Sequence, residues 1–174
     1  MNNTIYLSGA HRTGKSYLAT IAAHCLSINF KEANLSGVYT NLAISPQAGL
    51  AATMYLSIQE LMLARLNSPH IQTAKIVDRS HVDLAAYAIY HVRNNPELNS
   101  WLTDYVDRCL SSIDKDAVIV SVPISSLNIE DTSKSFTKER YFFLFQVSST
   151  VSSNFQNSIY LLSIFSENSI FKSP

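Results

Sequence analysis

The sequence has few cysteines, no net charge and no long apolar run, and each absence argues against a class of protein. The two cysteines, Cys25 and Cys109, lack the spacing of a metal site. We therefore expect both to be reduced and to lie in or near the core. The chain carries 13 lysines and arginines against 13 aspartates and glutamates, a formal net charge of +0. Charge thus gives no general indication of a nucleic-acid or acidic-membrane surface.

No segment has the pattern of a membrane span or an export signal. No apolar stretch approaches the roughly 20 residues of a membrane-spanning helix. The N-terminus leads straight into a strand, so we expect no signal peptide and a cytoplasmic protein. There is no internal repeat. The 174 residues, 47% of them hydrophobic and 15% charged, predict a single globular domain over residues 1–174.

The first motif lies near the N-terminus, where a short apolar strand at residues 4–8 leads into GAHRTGKS. Gly9, Gly14, Lys15 and Ser16 match G-x-x-x-x-G-K-[ST] at every fixed position, and a helix is predicted at residues 14–25. The glycines allow the backbone to wrap a phosphate, and the N-terminus of the helix attracts the same anion. The pattern predicts a phosphate-binding loop; the alternative is an ordinary turn between a strand and a helix.

The loop predicts roles for particular side chains. Lys15 is expected to reach the β- and γ-phosphates of ATP and to be exposed in the empty site. Ser16 is expected to bind Mg²⁺. The predicted nucleotide-binding residues are Gly9, His11, Arg12, Thr13, Gly14, Lys15, Ser16 and Tyr17. The helix that follows is expected to bury Leu18, Ile21, Ala22 and Cys25, which recur at helical spacing.

Two acidic residues follow predicted strands and are expected at the same edge of the sheet as the loop. Asp78 follows the strand at residues 73–77 and is predicted to bind Mg²⁺, with Arg79 clamping the second substrate. The alternative is that Asp78 caps the next helix and Arg79 pairs with it. Glu32 follows the strand at residues 26–31 and is either a base for an acceptor hydroxyl or a surface carboxylate.

Strands alternate with helices along the chain, which predicts an α/β fold with a three-layer arrangement: a parallel sheet with helices on both faces. The predicted strands are at residues 4–8, 26–31, 73–77, 117–122 and 159–165, and the predicted helices at 14–25, 47–67, 82–93, 96–113 and 138–153. A polar segment at about residues 124–137 has no periodicity and is predicted to be a lid-like loop. Asp83, near the start of the helix at 82–93, either complements the helix dipole or supports a neighbouring site residue.

These motifs resemble the small P-loop nucleoside and nucleotide kinases over most of residues 3–165. The likeness is greatest to the nicotinamide riboside kinase-like branch of ATP-binding (AAA-domain) proteins, in which a DR-x-x-x-D-x-x-x-Y segment follows a central strand. Here that segment is Asp78, Arg79, Asp83 and Tyr87. Gln59 is a further point of likeness; it either donates to a substrate base or is simply exposed. The chain departs from the family at two places. Its lid has Lys134 and Lys138, with Arg140 on the flanking helix, where the family has one or more arginines. After Glu32 it has Asn34 where an arginine is expected.

The resemblance implies a P-loop NTPase fold and an ATP- and Mg²⁺-dependent phosphotransferase. Lys15, Asp78, Arg79 and Glu32 would be its catalytic residues, and Ser16 and Asp78 its metal ligands. The acceptor would be a nucleoside, a nucleotide or a related small molecule, with neither membrane nor nucleic acid as partner; a homodimer is left open. The alternative is an NTP-binding switch or ATPase that needs no small acceptor.

Overall fold

The computed structural model describes residues 4–9, 13–45, 51–92 and 94–122. Within them the elements are β1 (Ile5–Ser8), α1 (Lys15–Leu26), β2 (Phe30–Lys31), α2 (Ser36–Asn41), α3 (Ala52–Leu66), α4 (Pro69–Gln72), β3 (Ile76–Val77), α5 (His81–Val92), a 3₁₀ turn (Pro96–Leu98), α6 (Asn99–Ser111) and β4 (Val118–Ser121). The predicted lid, the helix at 138–153 and the strand at 159–165 lie outside these ranges, as do His11, Arg12, Lys134, Lys138 and Arg140.

The four described strands form one parallel sheet in the order β2-β3-β1-β4. Ile5 of β1 is in register with Ile76 of β3 on one side and with Val118 of β4 on the other. Every connection between parallel strands must cross back over the sheet, and the helices between the strands provide those crossings. All four strands therefore end at one edge, where the loops that follow them meet.

Alternate strand residues face opposite sides of the sheet, and each side is covered by helices. Tyr6 and Val77 pack with the buried residues of α3, α5 and α6. Their neighbours Leu7 and Ile76 pack against α1 through Ala19 and Ala23. A strand buried on both faces is apolar at successive positions, as these are. The three-layer α/β prediction is confirmed.

The buried face of α1 differs from the predicted one. Lys15, Ala19 and Ala23 are its buried residues, and their spacing of four places them on one side of the helix. Ile21 is 42% exposed, and Cys25 is also exposed, so the prediction was wrong for both. Small alanines allow the helix to lie close to the sheet, and the larger apolar residues flank that contact. Cys109 is buried as expected.

Several boundaries also differ from the predicted ones. Helix α1 continues to Leu26, so β2 is reduced to Phe30–Lys31. A proline at the first position of α4 starts a short helix that shortens β3 to Ile76–Val77. The segment after Glu32, predicted as a loop, contains α2. In that turn the side-chain oxygen of Asn34 accepts a hydrogen bond from the N–H of Gly37 at 3.1 Å, a local contact typical of helix starts.

None of the helices within the described ranges is long and apolar enough to cross a bilayer.

Candidate functional site

The segment between β1 and α1 depends on its two glycines for different reasons. Gly9 has a φ of +143°, and a Cβ added there would lie 2.5 Å from the carbonyl oxygen of Val122. Gly14 has a φ of +80°, and a Cβ there would meet nothing within 4 Å. Side chains are disfavoured at Gly9 by both conformation and contact, and at Gly14 by conformation alone. Both positions therefore favour glycine, as the phosphate-loop motif requires.

Lys15 is the first residue of α1 and is buried, with 4% of its surface exposed. Its Nζ donates a hydrogen bond to Thr13 Oγ1 at 3.1 Å, so the side chain folds back over the loop. The expectation of an exposed lysine was wrong, because the side chain is buried and its ammonium group contacts Thr13. Burial lowers the pKa of Lys15 to about 7; nearby Arg79 lowers it further, and Asp83 and Asp78 partly offset the shift.

The Ser16 hydroxyl donates a hydrogen bond to Asp78 Oδ2 at 2.5 Å, across 62 residues of sequence. The other oxygen, Oδ1, accepts a hydrogen bond from the N–H of Ala33 at 2.9 Å. Asp78 thus joins the first turn of α1, the end of β3 and the turn after β2. The structure thus brings together the two residues predicted as Mg²⁺ ligands; their role as ligands stays a prediction.

These two oxygen ligands fit Mg²⁺, which prefers hard oxygen donors. In phosphotransferases the protein supplies one or two such ligands, and substrate phosphates and water supply the rest. The described residues contain no group of three or more histidine, cysteine or acidic side chains that could hold a metal ion by themselves.

Asp83 is a central residue of the site whose role the sequence left undecided. It is 2% exposed, and its Oδ1 accepts hydrogen bonds from the Ser8 hydroxyl and from the N–H of Gly9, both at 2.8 Å. Its Oδ2 accepts from the N–H of Ser80 at 3.0 Å, and its own N–H donates to Ser80 Oγ at 3.2 Å. The second pair is a capping box at the start of α5.

The Ser80-x-x-Asp83 spacing before an apolar helix was a signal for that cap. Nothing in the sequence indicated that the same carboxylate would also hold the start of the phosphate-loop segment, 74 residues away. Asp83 is therefore the supporting residue that one of the two sequence alternatives described. The dipole alternative also applies, because Asp83 lies in the first turn of α5.

The structure shows fewer contacts that bear on Arg79 and Glu32, predicted for the acceptor, and on Tyr17, predicted for the nucleotide. Arg79 is half-buried, and its NH1 donates a hydrogen bond to the carbonyl oxygen of Gly9 at 3.3 Å, which places it beside the loop. The side chain of Glu32 is exposed, although the next residue, Ala33, contacts Asp78. Tyr17 projects from the first turn of α1 and is 74% exposed. The roles of these three residues stay predictions.

For Gln59 the alternative of simple exposure was wrong, and donation to a substrate base stays a prediction. It is 3% exposed, and both its carbonyl oxygen and Oε1 accept hydrogen bonds from the Tyr105 hydroxyl, at 3.0 and 3.3 Å. Burial raises the pKa of Tyr105, because an ionised phenol would be poorly solvated there. Gln59 therefore joins α3 to α6 in the core.

A solved structure shares this architecture. The crystal structure of thymidylate kinase from Ehrlichia chaffeensis matches with a TM-score of 0.57 and 16% sequence identity, over 96% of this chain and 89% of that one. The fold is that of the P-loop NTPases. No protein-family model matches the sequence, and no curated protein matches it either. At this identity the likeness concerns the fold, so function has to be argued from the site.

Proposed function

We propose that the protein is an ATP- and Mg²⁺-dependent phosphotransferase that acts on a nucleoside, a nucleotide or a related small molecule. The observation that carries the proposal is the hydrogen bond between Ser16 and Asp78. It joins two Mg²⁺-compatible oxygens beside a complete phosphate-loop motif in which Lys15 is already folded inward. The structural neighbour is named as a kinase, which supports the same class of reaction.

In this proposal the loop residues and Lys15 would hold the β- and γ-phosphates of ATP. Ser16 and Asp78 would hold Mg²⁺, whose chemistry is to neutralise charge on the transferred phosphoryl group. Because phosphoryl transfer depends mainly on positioning and electrostatics, a rigid loop matters more than a reactive side chain. The hydrogen bonds of Asp83 to Ser8 and Gly9 supply part of that rigidity.

The acceptor would bind where the turns after β2 and β3 meet, beside Glu32 and Arg79. Glu32 would orient or deprotonate an acceptor hydroxyl, and Arg79 would bind the acceptor or the transferred group. Lys134, Lys138 and Arg140 would supply the lid. We place this activity in the cytoplasm, with a small molecule as the partner rather than a nucleic acid or a membrane.

The test is a coupled ADP-release assay with Mg-ATP across nucleosides, their 5′-monophosphates and nicotinamide riboside. We expect release that depends on one class of acceptor. Asp78→Asn should lower kcat at least tenfold and change nucleotide affinity little, because an amide is a poorer Mg²⁺ ligand of nearly the same shape. Asp104→Asn, on the exposed side of α6, is the control and should be without effect.

Other outcomes would contradict parts of the proposal. ADP release at the same rate with and without every acceptor would favour the alternative ATPase or switch. If Asp78→Asn kept full activity at several Mg²⁺ concentrations, Asp78 would not belong to the site. Glu32→Gln should lower transfer to a hydroxyl acceptor without changing basal hydrolysis, and an unchanged transfer rate would remove Glu32 as the base.

A further inference from the structure

Of the large apolar side chains that the described residues expose, that of Tyr17 is the most exposed, at 74%. Tyr17 lies in the first turn of α1, directly after Ser16. Within the described part of the chain it makes no hydrogen bond or ring contact and belongs to neither hydrophobic cluster. A single exposed apolar side chain is common on protein surfaces, so its meaning depends on what surrounds it.

The first turn of α1 gives Tyr17 particular surroundings. Side chains two positions apart on an α-helix point in nearly opposite directions. Lys15 is buried and donates a hydrogen bond to Thr13, so Tyr17 points outward from the same turn. Ser16 lies between them, with its hydroxyl on Asp78. One helical turn therefore presents a cation, a candidate Mg²⁺ ligand and an exposed aromatic ring.

The apolar surface continues along α1. Ile21, four residues after Tyr17, is 42% exposed, and side chains at that spacing are neighbours on a helix surface. Tyr17 and Ile21, here called the exposed strip, lie on the side of the helix opposite Ala19 and Ala23, which pack against the sheet. The strip thus begins at the end of the helix where the phosphate loop lies and runs away from it.

The size of the exposed strip argues for a small occupant. A stable interface between two proteins buries about 800 Å² on each partner and takes roughly 20–30 residues a side. Two side chains fall far short of that area, but one aromatic ring is enough to cover the face of one nucleic-acid base. A nucleoside triphosphate is a single covalent molecule, in which one ribose joins the base to the phosphates. Phosphates held by the loop and Lys15 therefore bring a base into the vicinity of the first turn of α1.

We propose that Tyr17 stacks on the base of the nucleotide whose phosphates the loop holds. The proposal rests on the proposed function, which requires a bound nucleoside triphosphate, and adds how its base is recognised. The face of an aromatic ring carries no directed hydrogen-bond donor or acceptor, and every base has a π-face, so stacking accepts adenine and guanine alike. Tyr17 thus raises the affinity for a nucleotide over that for its phosphates alone, without selecting between the two purines.

The test compares ligands with and without a base. Isothermal titration in Mg²⁺ measures the affinities of the β,γ-imido analogues of ATP and GTP and of inorganic tripolyphosphate, which has no base. Tyr17→Ala should weaken both analogues about 5- to 100-fold, the range for stacking of one base on an aromatic side chain. The two factors should agree within about threefold, since stacking does not depend on the identity of the purine. Affinity for tripolyphosphate should stay within about twofold of the parent's, because the loop and Lys15 are unchanged.

Two variants serve as controls. Tyr17→Phe keeps the ring and removes the hydroxyl, and it should bind both analogues like the parent. Leu26→Ala removes another exposed apolar side chain, 59% exposed, at the far end of α1, about 13 Å along the helix axis from Tyr17. It should leave all three affinities unchanged. Thermal unfolding establishes that each variant is folded, and Tyr17→Leu, apolar but without a ring, replaces Tyr17→Ala if the latter unfolds.

Several outcomes would overturn the role of Tyr17. Unchanged affinities of Tyr17→Ala for both analogues would mean that the ring does not contact the base. An equal loss for tripolyphosphate would mean that Tyr17 acts on the loop rather than on the base. A loss for only one of the analogues would contradict recognition through the ring face.

The same measurements separate this proposal from the phosphotransferase. A base-dependent loss in Tyr17→Ala, with no acceptor-dependent ADP release by the parent, supports the stacking role and contradicts the phosphotransferase. Acceptor-dependent release by the parent, with analogue affinity insensitive to Tyr17→Ala, does the reverse.

Discussion

At the scale of single residues, we expect the burial of Lys15 to lower the stability of the folded protein. The side chain is buried beside Arg79, and burial lowers its pKa to about 7. Burial disfavours the charged form of this ammonium group, and in the proposed function the phosphates of a nucleotide would favour it. Residues positioned for ligands commonly lower the stability of the free protein in this way.

Lys15→Met should therefore stabilise the nucleotide-free protein while abolishing its response to ATP. Because the folded pKa lies below the unfolded value of 10.5, the unfolded chain holds the proton more tightly, and the parent becomes more stable as pH rises from 7 towards 10.5. Removing the charge should raise the free energy of unfolding at pH 7 by roughly 1–3 kcal/mol. Urea unfolding at pH 7 and pH 9, with and without Mg-ATP, measures both effects.

The exposed Lys115 supplies the control, since Lys115→Met should leave stability and the ATP response unchanged. A Lys15→Met protein that is less stable than the parent at pH 7 would show that Lys15 is held by favourable partners rather than buried at a cost. One that keeps the parent's ATP-induced stabilisation would place the nucleotide elsewhere.

At the scale of elements, the Asp83 carboxylate couples the end of β1 to the start of α5. One oxygen serves Ser8 and Gly9 on the first element, and the other serves Ser80 at the start of the second. A single buried side chain thus satisfies three donors that burial would otherwise leave unpaired. Both the phosphate-loop segment and the turn that carries Asp78 begin within one or two residues of these contacts.

Asp83→Asn should disturb this coupling, because the amide nitrogen cannot accept a hydrogen bond and one side must lose its contact. We expect the free energy of unfolding to fall by about 1–3 kcal/mol and the affinity for Mg-ATP to fall roughly tenfold or more. Val92→Ala, at the other end of α5, should also lower stability but leave nucleotide affinity intact. Calorimetric titration of both folded variants decides the matter: equal affinities would reduce Asp83 to a purely structural residue.

At the scale of the whole molecule, we expect the burial of His81 to make the folded state less stable in acid. It is fully buried, and its ring lies edge-on to that of Tyr6 in β1. Its Nε2 lies 2.7 Å from Asn67 Oδ1, and its Nδ1 has no partner among the described residues. Since an amide oxygen only accepts, Nε2 carries the proton of the neutral ring. A second proton on Nδ1 would be buried without an acceptor, and burial accordingly lowers the pKa of His81 to about 4.

The folded pKa lies below the unfolded value of 6.5, so the unfolded chain gains the proton first. The contribution of His81 is complete above pH 6.5 and is lost as pH falls towards 4, by up to about 3 kcal/mol. His81→Gln keeps a donor for Asn67 and cannot titrate, so its stability should fall less between pH 6.5 and 4. Unfolding curves over that range test this, with His24→Gln on the exposed side of α1 as control. Parallel pH profiles for parent and His81→Gln would contradict it.

Local pattern was enough for the features that depend on neighbours in sequence. The phosphate-loop motif and the α/β class follow from spacing and periodicity. The rule that parallel strands end at one edge of the sheet predicted that Asp78 would lie near the loop that carries Ser16. Boundaries were less predictable, because capping and packing decide them. Helix α1 ends at its C-cap residue Ser27, which has a φ of 53°. The helix and its cap therefore include Leu26 and Ser27, which were predicted as the start of β2.

The tertiary structure alone decided which side chains are buried and which distant groups meet. Apolar residues recur at helical spacing on two faces of α1, so spacing alone does not show which face is buried. Contact with the sheet buries Ala19 and Ala23 and leaves Ile21 exposed. The contact of Arg65 with Ala33 joins residues 32 positions apart, and that of Asp83 with Gly9 joins residues 74 positions apart. The burial of Lys15 likewise depends on how the chain folds. A sequence records the chemistry of each group, but solvation, pKa and partners arise from groups that are brought together only when the chain folds.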